Sequence, residues 1–197
     1  VRDRRRGAGG TRECGEAVRL APGQRGRRAG AESMMDALTL HNLLVESGMR
    51  HEIVHLPRAI GVADQLPERL RLPSRRCLAV RMYDVAGVLT AVIVHAGQMP
   101  SVAALCEVTG SSLVRPAASD QVNSVTGYAT GLVAPLGLPA SVAVYADQAV
   151  VSDVDHDLVV YTATGESGTA LGVRLLDLFT LRDAKPAALT QPAGPAS

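Results

Sequence analysis

Thr126-Gly127-Tyr128-Ala129-Thr130-Gly131-Leu132-Val133-Ala134-Pro135-Leu136-Gly137-Leu138-Pro139 is the stretch on which the reading of this chain turns. Three glycines and two prolines fall in an apolar run without a single charge. Glycine reaches positive φ and lets backbone approach a ligand, while proline freezes φ and removes a donor. Such a loop presents backbone N–H and C=O groups in a fixed geometry and brings no acid, base or thiol of its own. Chemistry here would run through main-chain hydrogen bonds, a set suited to holding a carbonyl and a developing oxyanion. The other reading is a Gly/Pro turn between two strands, and the residues alone leave both open.

Outward from the loop the chain alternates helical and extended patterns. Ser33 is placed to cap a helix to about Ser47, with Leu38, Leu40, Leu43 and Leu44 as its apolar side and Gly48 ending it. A strand over residues 51–56 stops at Pro57, and a helix over 61–70 is turned at Pro67. Residues 77–83 and 88–95 read as a hairpin around Ala86-Gly87. A helix from Pro100 to Val108, a strand at 113–115 and a helix over 117–124 lead into the loop. Strands are expected near 141–145, 149–151, 158–162 and 169–173, then a helix over 175–181. This order predicts one α/β domain with a mixed, mainly antiparallel, curved sheet and surrounding helices.

At 197 residues, 47% apolar and 3% aromatic, the chain can build one aliphatic core with tails. Residues 1–33 carry nine arginines against four carboxylates and no apolar periodicity, so they read as a disordered basic arm. Contact with nucleic acid and a tail without a role both fit that arm. Residues 34–183 form the expected domain, and the Pro/Ala-rich residues 184–197 a disordered tail. No apolar run approaches the ~20 residues of a membrane span. The N-terminus shows no signal-peptide h-region. Cys14, Cys77 and Cys106 form no C-x-x-C pair. A reduced, cytoplasmic protein without a membrane partner is the expectation.

His51-Glu52-Ile53-Val54-His55 matches the zincin pattern H-E-x-x-H, which needs a helix to bring both imidazoles to one ion. Gly48 before it, β-branched Ile53-Val54 within it and Pro57 after it predict a strand. There, residues four apart stand roughly 13 Å from each other, and neither a metal nor a cofactor is expected. The acidic run Asp153, Asp155 and Asp157 lacks the glycine and glutamate of a calcium loop and reads as a solvated turn. Six arginines, Arg58, Arg69, Arg71, Arg75, Arg76 and Arg81, share one short stretch with only Asp64 and Glu68 between them. Of these, Arg69, Arg71, Arg75 and Arg81 are candidates for phosphate contact, against the alternative of a solvated face.

Thr126-Gly127-Tyr128, Gly131 through Pro135 and Leu136-Gly137 together resemble the signature loop of the YbaK-type editing family. That family comprises free-standing aminoacyl-tRNA deacylases and the editing domain inserted in bacterial prolyl-tRNA synthetases. Its Gly-x-x-x-Pro loop lies beside the aminoacyl ester, and the likeness extends over roughly residues 35–183. The resemblance implies hydrolysis of a small, wrongly attached amino acid from tRNA, with no metal and no strong catalytic side chain. Main-chain groups from Gly131 through Ala134 to Pro135 would fix the carbonyl and a water. Thr126, Gly127, Leu136, Gly137 and Asp147 would shape or contact the substrate. The family carries a lysine implicated in substrate binding, in a Lys-Thr-Leu-like context; here Arg76-Cys77-Leu78 stands there, so the resemblance implies Arg76 in the catalytic set, neutralising a phosphate or orienting the ligand, and Arg81 is a second match if the hairpin is registered differently. A guanidinium is planar, bulkier and no base. The expected partner is a mischarged tRNA, with an aminoacyl-tRNA synthetase as a further one. Alongside the deacylase stands a catalytically impaired tRNA- or synthetase-binding module of the same fold, and a hydrolase of another small ester or amide.

Overall fold

Asp36 caps the first helix, its Oδ1 accepting the Thr39 N–H at 2.7 Å, and α1 spans Ala37–Glu46 rather than beginning after Ser33. Leu40 and Leu44, one turn apart, are fully buried beneath it. The computed structural model describes residues 34–152, 158–181 and 183–190. The basic arm (1–33), the acidic turn (153–157) and residues 191–197 of the expected tail lie outside the described residues.

The chain continues through β1 (His51–His55), a 3-10 turn at Ala63–Gln65, α2 (Leu66–Leu70) and a second 3-10 turn at Ser74–Arg76. The hairpin β2 (Leu78–Val85) and β3 (Val88–His95) follows, then α3 (Val102–Thr109), β4 (Val114–Pro116) and α4 (Ser119–Thr126). After the loop come β5 (Ala143–Asp147), α5 (Gln148–Ser152), β6 (Val159–Ala163), β7 (Thr169–Arg174), α6 (Leu175–Leu181) and β8 (Lys185–Ala187). The hairpin turns at Ala86 and Gly87, both at positive φ (50° and 89°), the conformation that matches strand twist in a two-residue turn. Asp84 accepts the Gly87 N–H at 2.7 Å and fixes that turn.

The described residues form an α/β unit with six helices and mixed, mostly antiparallel sheets. The strands divide into two sheets rather than one. One has the order β1-β7-β6, all antiparallel; the other has the order β4-β2-β3-β5-β8, with β5 and β8 added in parallel. A single bridge between Cys77 and Tyr161 links the two. Residues alternate along β2 between two apolar clusters: Leu78 and Val80 face one, Ala79 and Tyr83 the other, joined there by Cys77 just before the strand. That alternation follows from the pleat, and burial on both faces leaves Arg81 and Asp84 as the charged residues of the strand. No helix among the described residues is long and apolar enough to cross a membrane.

Two expectations are corrected. Residues 149–151, read as a strand, belong to helix α5, which buries Val150. Residues 184–190, read as tail, contain β8, which pairs with β5, and Leu189 is buried. Proline is tolerated in β8 because it is an edge strand.

Candidate active site

Thr126 and Gly127 close α4 and start the loop. Thr126 Oγ1 donates to the Val122 carbonyl at 2.7 Å and accepts the Tyr128 N–H, while the Gly127 carbonyl accepts from Met35 N. Tyr128 is fully buried, and its hydroxyl donates to the Leu136 carbonyl at 2.6 Å, drawing the two ends of the loop together. Gly137 packs against Met35 and Tyr128, where a Cβ would collide with the Met35 methyl. These four expected substrate residues, Thr126, Gly127, Leu136 and Gly137, therefore hold the loop's shape. Ala134 and Pro135 are buried as well.

Gly131 is the half-exposed member of the Gly-x-x-x-Pro run. Its φ is +88°, its carbonyl accepts the Ala63 N–H at 2.9 Å, and the next carbonyl, that of Leu132, accepts from Gly165 N. Beside Gly131 lies a cavity of about 180 Å³ walled by Thr130, Val80, Arg81, Met82 and Tyr83. It opens where β4 stops covering β2, since β4 pairs only with Tyr83–Val85. Thr130 is fixed by Asn123, whose Oδ1 accepts both its N–H and its hydroxyl.

The arginines separate clearly. Arg76 donates from Nε to the Val159 carbonyl at 2.9 Å, and its guanidinium stands 6.0 Å from the Tyr161 ring centroid, within cation–π range. It is not among the cavity-lining residues, whereas Arg81 is. Arg81 is paired with Asp64, Nη2 to Oδ1 at 2.6 Å. Arg69 is engaged by Glu68. Arg71 and Arg75 are exposed.

Asp147, the remaining expected substrate residue, lies at the end of β5. It is buried, and its carboxylate accepts from Leu189 N, Thr190 N and the Thr190 hydroxyl, which anchors β8 and the residues after it. Asp64 and Thr130 carried no signal in the sequence. The Asp64–Arg81 pair joins a 3-10 turn to a strand, and no local spacing marks such a contact.

Electrostatics leave little nucleophilic chemistry. Burial pushes the Cys77 thiol up to about 11, with Arg76 opposing, so the group stays protonated at neutral pH. Burial also raises the Tyr83 phenol, again opposed by a neighbouring cation, Arg81. The Glu52 carboxylate accepting from the Tyr161 hydroxyl raises that phenol in turn. His51 and His55 lie in strand β1, paired with Val173 and Thr169, not on a helix.

The aminoacyl-tRNA editing domain model matches residues 61–181, more than half of the chain, and the chain belongs to that family. Among solved structures, a hypothetical protein superposes with a TM-score of 0.68 at 19% identity, over 77% of this chain and 99% of its own. A candidate trans-editing enzyme for prolyl-tRNA synthetase superposes with a TM-score of 0.67 at 18% identity, over 78% of this chain and 95% of its own. Identities this low show a shared fold. No curated protein sequence matches the chain significantly.

Proposed function

We propose that the protein is an aminoacyl-tRNA deacylase acting in trans, cleaving the ester between a small, wrongly attached amino acid and the terminal ribose of tRNA. The observation that carries this reading is Gly131: a half-exposed backbone at φ +88° on the wall of a small cavity that holds no carboxylate, imidazole or thiol. At about 180 Å³ the cavity is smaller than the ~300 Å³ at which drug-sized pockets begin. That volume suits an aminoacyl end and leaves the nucleotide outside. Main-chain groups at Gly131 orient the ester and a water, helped by the neighbouring ribose hydroxyl. Water adds to the carbonyl carbon, the C–O bond to the ribose breaks, and the ribose oxygen takes a proton. Arg76, with exposed Arg71 and Arg75 just before it, contacts tRNA phosphate.

A second reading is favoured by Arg76 itself, which is occupied by Val159 and Tyr161 where the related enzymes carry a lysine. Under it the chain is a tRNA- or synthetase-binding module without turnover. A panel of mischarged tRNAs decides between them. Release of amino acid from at least one tRNA supports the deacylase. Salt-dependent binding without release on any member of the panel overturns it in favour of the module.

A further inference from the structure

Arg81 occupies a position on β2 whose same-face neighbours, Ala79 and Tyr83, are buried, and its own side chain is only 19% exposed. A guanidinium at such a place needs partners. It has them on one side only. Nη2 donates to Asp64 Oδ1 at 2.6 Å and to the Gln98 carbonyl at 3.0 Å, and Nε donates to the same carbonyl at 3.2 Å. Nη1, with two N–H donors, makes no bond to the described residues.

Asp64 is itself held, its Oδ1 also accepting the Gly97 N–H at 2.7 Å. The residue before it, Ala63, donates its N–H to the Gly131 carbonyl. One 3-10 turn thus fixes both the loop glycine and, through Asp64, the arginine. Both line the same cavity.

We propose that Arg81, positioned by Asp64, is the cation of this site, and that its Nη1 donates to the ester carbonyl oxygen as that oxygen gains negative charge. The proposal rests on the deacylase reading. A guanidinium donates hydrogen bonds and accepts none, so its role is electrostatic and not that of a base. Water adds to the carbonyl carbon and the oxyanion forms against Nη1. The carbonyl then re-forms as the C–O bond to the ribose breaks. The ribose oxygen takes one proton of the water, and the amino acid leaves as a carboxylate once the other is lost to solvent. Asp64 is a positioning residue: it aims the fork without touching the substrate.

The test is steady-state deacylation of the mischarged tRNA that the native protein hydrolyses, with thermal melts of every variant. Arg81→Gln lowers kcat by roughly 100-fold, as loss of one oxyanion donor does, and leaves KM within about threefold. Arg81→Lys keeps the charge opposite Asp64 and loses about tenfold in kcat, because an ammonium cannot reach both ways. Asp64→Asn lowers kcat by about tenfold alone and adds nothing to Arg81→Gln, the non-additivity expected when one residue acts through another. A purely structural Asp64 would lower the melting temperature and add its loss in full. A rise in KM with unchanged kcat, and a salt slope smaller by about one, would make Arg81 a phosphate contact and overturn the proposal. If Arg81→Gln fails to fold, Arg81→Lys decides, and native rates in that variant refute the assignment. Native protein inactive on every mischarged tRNA sinks the deacylase reading and this one with it. An active native enzyme indifferent to Arg81→Gln sinks this one alone.

Discussion

Gly131→Ala separates the loop's chemistry from its packing, because the structure fixes what one methyl group would meet. The backbone there has φ +88°, a region that costs an L-residue about 1–2 kcal/mol. A Cβ would stand 3.0 Å from Val62 Cγ1 and 3.1 Å from the Gly61 carbonyl oxygen. The valine methyl can shift; the Gly61 carbonyl, as backbone, gives way less readily. The bond from Ala63 N to the Gly131 carbonyl is strained in the process, and it contributes about 0.5–1.5 kcal/mol. The sum is about 1.5–3.5 kcal/mol, a fall in Tm of roughly 3–14 °C for a chain of this size. Moving the cavity wall by a fraction of an ångström is expected to slow hydrolysis by about tenfold, a full ~1 Å displacement costing about 100-fold. Gly110→Ala is the control: φ is +67°, yet its Cβ meets nothing within 4 Å and it lies outside the cavity wall. It should lose about 1–2 kcal/mol of stability and no activity. Both variants are assayed by single-turnover deacylation well below their melting temperatures. A folded Gly131→Ala protein working at the native rate would falsify the placement of the site at this glycine. Equal losses of turnover in the two variants would show that backbone strain alone is responsible.

Asp147→Ala should cost about 2–4 kcal/mol, because it orphans three donors that fix residues 189–190, and removal of residues 184–197 should destabilise comparably; urea melts check both. Deleting residues 1–33 should leave Tm unchanged, since Arg/Gly-rich sequence adds no apolar packing, and a drop of several degrees would refute that. Asp84 is held below its usual 3.8 by the Arg115 guanidinium and the Gly87 N–H. A depressed carboxylate contributes stability that is complete above its unfolded pKa and is lost as pH falls through its folded one. Arg115→Ala raises the folded value, so acid unfolding, followed by circular dichroism from pH 5 to 2, should begin at higher pH than in the native protein.

The hairpin was legible because two extended, largely apolar runs, the second rich in valine, isoleucine and threonine, flank Ala86-Gly87, and both chemistry and geometry of that turn are local. The same holds for α1, whose leucines at positions 40 and 44 are those buried, although Asp36 took the cap expected of Ser33. Local signals misled at residues 149–151. The pair Val150-Val151 favours a strand, yet the segment is helix and packs Val150 into the core. Tertiary context overrides β-propensity in this way. The composition of residues 184–190 pointed to a tail, and what ties them to the sheet is distant in sequence: pairing of β8 with β5 and the Asp147 carboxylate, some forty residues upstream.

The site divides along the same line. Gly131 stood out because a glycine followed four residues later by proline is a local pattern with a backbone consequence. The choice between Arg76 and Arg81 was not local. Arg81 lies within β2 whereas Arg76 ends the 3-10 turn before it, and neither position says which of the two meets the loop. That is settled by where residues 61–65 lie, and their anchor is the bond from Ala63 to the very glycine in question. Once that bond is in place, the neighbouring Asp64 reaches Arg81, and Arg76 is left to Val159 and Tyr161. A likeness read from the letters favours Arg76; the hydrogen bonds bring Arg81 to the glycine, and the kcat of Arg76→Gln set against that of Arg81→Gln is where the two part.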